Sequence, residues 1–284
     1  MTYPLRVGLK LAGQSTTINA LRGVWRVADE AGFDHVWDFD HLASIGPSGP
    51  DHPVFEGWAL QAAMAVATQR VRIGCNVTGN AYRHPAQLAK LAVTVDHLSG
   101  GRLEFGIGAG WAQNEFQMLG MTGLENRVGR LDESLRVIKS LFTDHRTSFE
   151  GKYYHLTDAI ANPKPLQHPH PPIWIGAGGD LMLKVVARHA DVWNPTGPAR
   201  GTDYVAASEK LMQACAAIGR DESTIRRCNL LRWSGSSRQE LLELVGADLE
   251  RGFSEEIIYL EGNHAEQTAA RAGEALGDLR RLAA

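Results

Sequence analysis

Asp38, Asp40 and His41 stand together in the run Trp37-Asp38-Phe39-Asp40-His41-Leu42. Neutral imidazole accepts a proton and imidazolium donates one near pH 7, so the Asp40-His41 pair is suited to proton transfer. A capping or loop histidine without catalytic duty is the plainer alternative. A second candidate is Gly176-Ala177-Gly178-Gly179, which directly precedes a helical pattern. Small residues let backbone N–H groups approach an anion, and a helix N-terminus favours negative charge, so a phosphate fits there. The alternative is a tight strand-to-helix turn that needs glycine for geometry alone.

Other patterns are weaker. Gly106-Ile107-Gly108-Ala109-Gly110 fails the dinucleotide fingerprint, because Gln113 stands where the third glycine belongs, and no Gly-Lys-Ser/Thr follows it. These glycines make room for a flat ligand or form a close-packed turn. The spacing in His168-Pro169-His170 suits metal ligands, but it precedes a strand, at the wrong end for a barrel site. His41, His52 and His84 have no second ligand at helical spacing, and no G-x-S-x-G is present. No metal site is expected.

The hydrophobic pattern predicts the elements that position these residues. Strands are expected at 5–11, 35–39, 71–77, 103–107, 173–176, 191–194, 225–233 and 256–260, each followed by a helical pattern. Examples are Ile18, Leu21, Trp25 and Ala28 on one face, and Leu88, Leu91, Ala92 and Val95 behind Pro85 in a first turn. Phe149 to Leu156 reads as a hairpin or insertion turning at Glu150-Gly151, and 162–172 holds five prolines and must be mostly extended. Eight strand–helix pairs predict an α/β fold, a single (β/α)8 barrel over residues 1–284 with a short insertion after strand four and helix four. A doubly wound open sheet is the alternative.

Barrel sites lie at the C-terminal ends of the strands. That rule selects Asp38, Asp40 and His41 after strand two, and Thr78, Asn80, Tyr82, Arg83 and His84 after strand three. It selects Ala109, Gly110, Trp111 and Asn114 after strand four, the 176–179 turn after strand five, and Asn194 and Thr196 after strand six.

The composition agrees. Of 284 residues, 44% are hydrophobic, enough for a large core. Lys plus Arg is 29 and Asp plus Glu is 32, so no basic surplus points to nucleic acid or an anionic membrane. No apolar run approaches the ~20 residues of a membrane span. The first six residues contain no apolar stretch of signal-peptide length. Three scattered cysteines without a C-x-x-C predict a reduced, cytoplasmic protein.

Four segments together resemble the bacterial luciferase-like family, in particular its coenzyme F420-dependent oxidoreductases. They run from Ala31 to Leu42, Tyr82 to Lys90, Leu98 to Trp111 and Pro172 to Gly179. The resemblance implies a barrel holding F420, or alternatively flavin mononucleotide (FMN), at its mouth. It implies that Asp40 and His41 lie beside the ring, and that a bulge with a non-proline cis peptide falls at Cys75-Asn76. Thr78, Ala109, Gly110 and Asn114 are implied as cofactor contacts, with Ala177, Gly178 and Gly179 in the phosphate turn. Sugar-phosphate dehydrogenases of the family carry a glutamate where this chain has Trp111. That departure argues for a more apolar pocket, with Trp37, Trp111 and Asn194 expected against substrate.

The expected activity is hydride transfer between the deazaflavin and a small organic substrate, with His41 carrying the proton. The alternatives are an FMN-dependent monooxygenase served by a flavin reductase, a non-catalytic flavin-binding protein, and a metal-dependent hydrolase. The resemblance also implies a homodimer. The 42–53 loop is expected to be either a mobile lid or a fixed connection.

Overall fold

The computed structural model describes residues 3–46, 49–122, 124–195 and 202–283. Eight parallel strands close on themselves: β1 (Arg6–Leu11), β2 (His35–Asp38), β3 (Arg72–Cys75), β5 (Leu103–Gly108), β8 (Ile173–Ala177), β9 (Val192–Pro195), β10 (Arg226–Arg232) and β11 (Glu255–Leu260). β1 pairs with both β2 and β11, and β3 pairs with β5, so no barrel edge is left open. A two-residue strand β4 (Thr78–Gly79) continues beyond β3 and pairs with the end of β5. The barrel predicted from the pattern of elements is the one found.

Helices α1 (Ile18–Ala31), α2 (Gly57–Ala67) and α3 (Pro85–Leu98) follow the first three barrel strands. α4 (Gln113–Met118) and α5 (Arg127–Thr143) follow β5, and α6 (Asp180–His189), α7 (Tyr204–Ala216), α8 (Arg238–Glu250) and α9 (Ala265–Leu282) complete the ring. Their ends are set by local chemistry. Thr17 caps α1 by accepting from Ala20 N at 3.1 Å, and Gly32 ends it at φ 82°, a conformation that favours glycine. The expected insertion is an antiparallel hairpin, β6 (Thr147–Glu150) and β7 (His155–Ala159), after α5. Among the described residues no helix is long and apolar enough to cross a membrane.

Side chains alternate between the barrel interior and the strand–helix interface, because successive strand residues point to opposite faces. The lowest interior layer is ionic. Arg6 donates to Glu104 and Glu255, Arg72 to Glu104 and Arg226 to Glu255, while Trp174 Nε1 donates to Glu104 at 2.6 Å. The middle layer is aromatic and apolar: Trp37, Trp174, Val192, Cys228 and Ile257. The top layer is Lys10, Asn76, Gly108, Gly176, Asn194, Leu230 and Tyr259, which opens to the mouth. The larger apolar core fills the space between strands and helices.

One outward residue of β11 sets a pH dependence. Glu256 is fully buried, and neither carboxylate oxygen has a hydrogen-bond partner. Burial, then the nearby Asp248 and Glu255 charges, push its carboxyl well above the usual range. An acid raised in the fold contributes stability that is fully present below its unfolded pKa and is lost as pH rises through the folded value. Glu256→Gln is therefore expected to raise the thermal midpoint at pH 7 by roughly 2–4 °C or more, the equivalent of about 1 kcal/mol at this size. The two melting curves should converge near pH 4; equal midpoints at both pH values would refute the assignment.

Candidate active site

The top layer and the loops above it enclose a cavity of about 460 Å³. This is within the ~300–1,000 Å³ of small-molecule sites. Its floor is a bulge. β3 stops at Cys75, and the peptide after the following residue, Asn76–Val77, is cis. The expected bond was Cys75-Asn76; the cis bond lies one residue later. Gly106 and Gly108 accommodate this bulge. A Cβ on Gly106 would stand 1.9 Å from the Cys75 carbonyl oxygen, and one on Gly108 2.9 Å from a Val77 methyl. These two glycines therefore make room for the backbone that forms the floor, and a ligand gains the space only indirectly.

Polar groups around the floor are ordered. Lys10 Nζ donates to the Asn76 carbonyl and, at 3.0 Å, to Asn76 Oδ1. Asn76 Nδ2 donates to Asn194 Oδ1 at 3.2 Å, and Asn194 Nδ2 to the Cys228 carbonyl at 3.2 Å. Thr78 is fully buried and lines the cavity, with its hydroxyl beside the Cys75 thiol. A hydroxyl in a cavity wall has one donor and two lone pairs, so a single thiol neighbour leaves capacity for a ligand.

His41 lies on the cavity wall with its side chain 14% exposed. Its partner is Glu115, on α4, whose Oε2 is 3.0 Å from His41 Nδ1. The same carboxylate accepts from the Tyr82 hydroxyl and from the backbone N–H groups of Leu42 and Ala43. Burial works to raise the Glu115 carboxyl, but these four hydrogen bonds hold it below the usual range, so it is an anion at neutral pH. Burial and the Glu115 bond push the Tyr82 phenol up, so it stays a donor. A carboxylate at Nδ1 places the neutral imidazole's proton there and leaves Nε2 as the acceptor. Phe39 at 5.1 Å and Trp111 at 5.6 Å flank the ring.

Asp40 also lines the cavity but does not orient His41. Its carboxylate takes both arms of Arg83, at 2.7 and 2.9 Å, and the Gly79 N–H at 3.1 Å. Burial pushes its carboxyl up, and the Arg83 fork opposes that. The reason is directional. Adjacent residues leave the strand end to opposite sides, so the neighbour in sequence points away from the imidazole while an acid from α4 reaches it.

The structure brings together His41, Asp40, Asn76, Thr78, Ala109, Gly110, Trp111, Ala177, Gly178 and Asn194 around one cavity. Asp38, Asn80, Arg83 and His84, selected at strand ends, are not in its wall, and neither are four of the expected cofactor and substrate contacts. Trp37 points into the middle layer, where Gly74 leaves space for its ring and its Nε1 donates to His35 Nδ1 at 2.7 Å, so it is core and not substrate pocket. Cys75 is buried on the outward face of β3, next to Asp38, by the strand's period of two. Asn114 is exposed on α4, and Gly179 is the exposed N-cap of α6, beside the wall residue Gly178. Thr196, and Pro47 and Ser48 of the 42–53 loop, lie outside the described residues; the described part of that loop is tied by Ile45 N to Gln14 Oε1 at 3.0 Å.

Sequence reasoning missed Glu115 and Lys10, and gave Tyr82 and Arg83 no role. The one signal for Glu115 is that it is the sole carboxylate between residues 109 and 118. Among the described residues no group of three or more His, Cys, Asp or Glu is gathered to hold a metal.

The family model for luciferase-like monooxygenases matches residues 3–284. A relative named F420-dependent glucose-6-phosphate dehydrogenase, from Microbacterium testaceum (strain StLB037), is 34% identical over 75% of this chain, and the match spans 62% of that relative's length. An FMNH(2)-dependent dimethylsulfone monooxygenase from Pseudomonas putida is 28% identical over 64% of this chain and 50% of its own length. Among solved structures, an F420-dependent secondary alcohol dehydrogenase in complex with an F420-acetone adduct superposes with a TM-score of 0.85 at 17% identity, covering 98% of this chain and 99% of that one. At that identity the likeness is one of fold.

Proposed function

Because this chain belongs to the luciferase-like monooxygenase family, we propose that it is a coenzyme F420-dependent oxidoreductase acting on a small organic substrate. The observation that carries the reading is the His41–Glu115 pair on the wall of a cavity whose floor is the Asn76–Val77 bulge. The names of its relatives support the deazaflavin.

The residues present fit a flat ring with a phosphate tail. Val77, Gly108 and Gly176 would back the ring, Thr78 presents a hydroxyl, and Asp40, Ala109 and Gly110 lie along the same wall. Ala177, Gly178 and Gly179, at the start of α6, would take the phosphate on backbone N–H groups. When bound, the deazaflavin supplies the hydride-carrying centre. This chain's own part is to hold the ring, exclude water and move a proton. His41 Nε2 accepts the proton as the substrate is oxidised, or returns it in the reverse direction, and the Glu115 carboxylate stabilises the imidazolium.

The substrate class follows from the wall facing His41. Trp111 packs on the His41 ring, and Ile45, Met182 and Leu230 line the same cavity, together with the polar Lys10, Asn229 and Arg232. A small alcohol or carbonyl compound with an apolar group fits beside Trp111, which stands where sugar-phosphate dehydrogenases of the family carry a glutamate.

The test is a fluorescence titration of the purified protein with oxidised F420 and, separately, FMN. Saturable binding of the deazaflavin in preference to FMN is expected. Preference for FMN would move the reading to an oxygen-using monooxygenase with a reductase partner, which the dimethylsulfone monooxygenase relative favours. Binding of neither would overturn it.

A further inference from the structure

A second recess, of about 280 Å³, adjoins the main cavity and shares Tyr82 and Ala109 with it. Nothing in the reading above uses it. Arg83, Arg127 and Arg130 line it, and none of its described lining residues is acidic. Arg83 is committed to Asp40 and Glu56. The other two are not bound to carboxylates among the described residues. Arg127 Nε donates to the Gly110 carbonyl at 3.2 Å, and its Nη1 lies 3.5 Å from Gln113 Oε1. Arg130 Nε donates to the Glu125 carbonyl at 3.2 Å, with its guanidinium 4.6 Å from the Tyr153 ring centre. Both project from the first turn of α5, three residues apart and so on one face.

An independent observation comes from Asn80. It is 3% exposed, lines the same recess, and its carboxamide oxygen has no hydrogen-bond partner. A buried amide oxygen left unpaired is rare and calls for a donor. The two arginines call for an anion with free oxygens, which their planar forks grip in pairs. One ligand chemistry answers both: a carboxylate flanked by an N–H donor, as in an amide-linked glutamyl chain. Inorganic phosphate also answers the arginines, and its P–OH can serve Asn80, but it is too short to span this recess and the main cavity across Tyr82 and Ala109.

We infer that this recess is a subsite for the amido-carboxylate tail of the ligand whose ring occupies the main cavity. The inference rests on the deazaflavin reading, since F420 is a ring with a tail of that kind. The shared wall at Tyr82 and Ala109 joins the two spaces, and Arg127, tied to Gly110, stands at their junction.

The experiment titrates the whole protein with F420 carrying its glutamyl residues and with the same compound stripped of them, which retains ring and phosphate. The intact compound is expected to bind roughly tenfold or more tightly. The double variant Arg127→Gln/Arg130→Gln should bind both forms alike, at the stripped compound's affinity, with an unchanged thermal midpoint. Asn80→Asp, which sets a like charge in the wall, should also bind the two forms alike. A wild-type protein that does not distinguish the two forms, or variants that weaken both equally, would overturn the subsite. If neither form binds, the deazaflavin reading itself has failed, and γ-glutamylglutamate alone then decides the recess by calorimetry. Saturable heat abolished in the double variant keeps it as a carboxylate site; no heat, or saturable binding of inorganic phosphate without the dipeptide, overturns it.

Discussion

Replacing His41 with alanine is expected to lower kcat by roughly 10²–10⁴-fold, the range contributed by a positioned general acid–base. Affinity for the deazaflavin should change far less, because the floor and the phosphate turn stay intact and the lost group acts on the transferred proton. Fluorescence titration beside steady-state kinetics separates the two quantities. Equal turnover in the variant would remove His41 from the chemistry. A parallel loss of cofactor affinity would reduce it to a ring contact. The side chain is part of no core cluster, so the fold should survive the change.

Glu115→Gln tests the partner, which acts through His41. The amide presents N–H to Nδ1 and forces the neutral imidazole's proton onto Nε2, the wrong tautomer for accepting a proton. A comparable swap beneath a catalytic histidine lowers kcat by as much as ~10⁴, and roughly 10²–10⁴ is expected here. The amide oxygen can still accept from Leu42 and Ala43, so the thermal midpoint should move little. Glu115→Ala instead leaves those N–H groups and the Tyr82 hydroxyl without an acceptor. Each unsatisfied buried donor costs about 1–3 kcal/mol. The pH–rate profile is the second readout. Loss of the anion beside the imidazolium should move its limbs, whereas a residue that only braced the loop would lower the rate evenly at all pH values. Glu115→Asp should restore part of the wild-type profile.

The two variants also separate scaffold from chemistry. The carboxylate is held ionised by its four hydrogen bonds, and its contribution to stability is present above its unfolded pKa and lost as pH falls through the depressed folded value. The bracing of residues 41–43 therefore persists through the neutral range, where the rates would be measured.

The barrel was legible in the sequence because its signals are local. Periods of two and of about 3.6 alternate along the chain, and a capping Thr17, a first-turn Pro85 and a left-handed Gly32 mark helix ends through contacts a few residues long. The rule that barrel sites lie at strand ends then selected somewhat under half of the cavity wall from strand positions alone. The same rule misplaced Trp37, because whether a strand residue faces the interior or the mouth depends on its height in the barrel. Trp37 is one layer too low, in space left by Gly74.

The sequence by itself determined the eight parallel units, the hairpin after the fourth and the candidate histidine at the second strand's end. Only the tertiary structure decided what that histidine works with. Asp40, its neighbour in the chain, turns to Arg83, while Glu115, 74 residues later, reaches Nδ1. The pairing of β2 with β3 and of β3 with β5 brings the end of β2 against the helix that follows β5. Hydrophobic periodicity is written residue by residue, but a hydrogen bond between distant segments depends on the register and tilt of every strand between them, and no spacing along the chain records that.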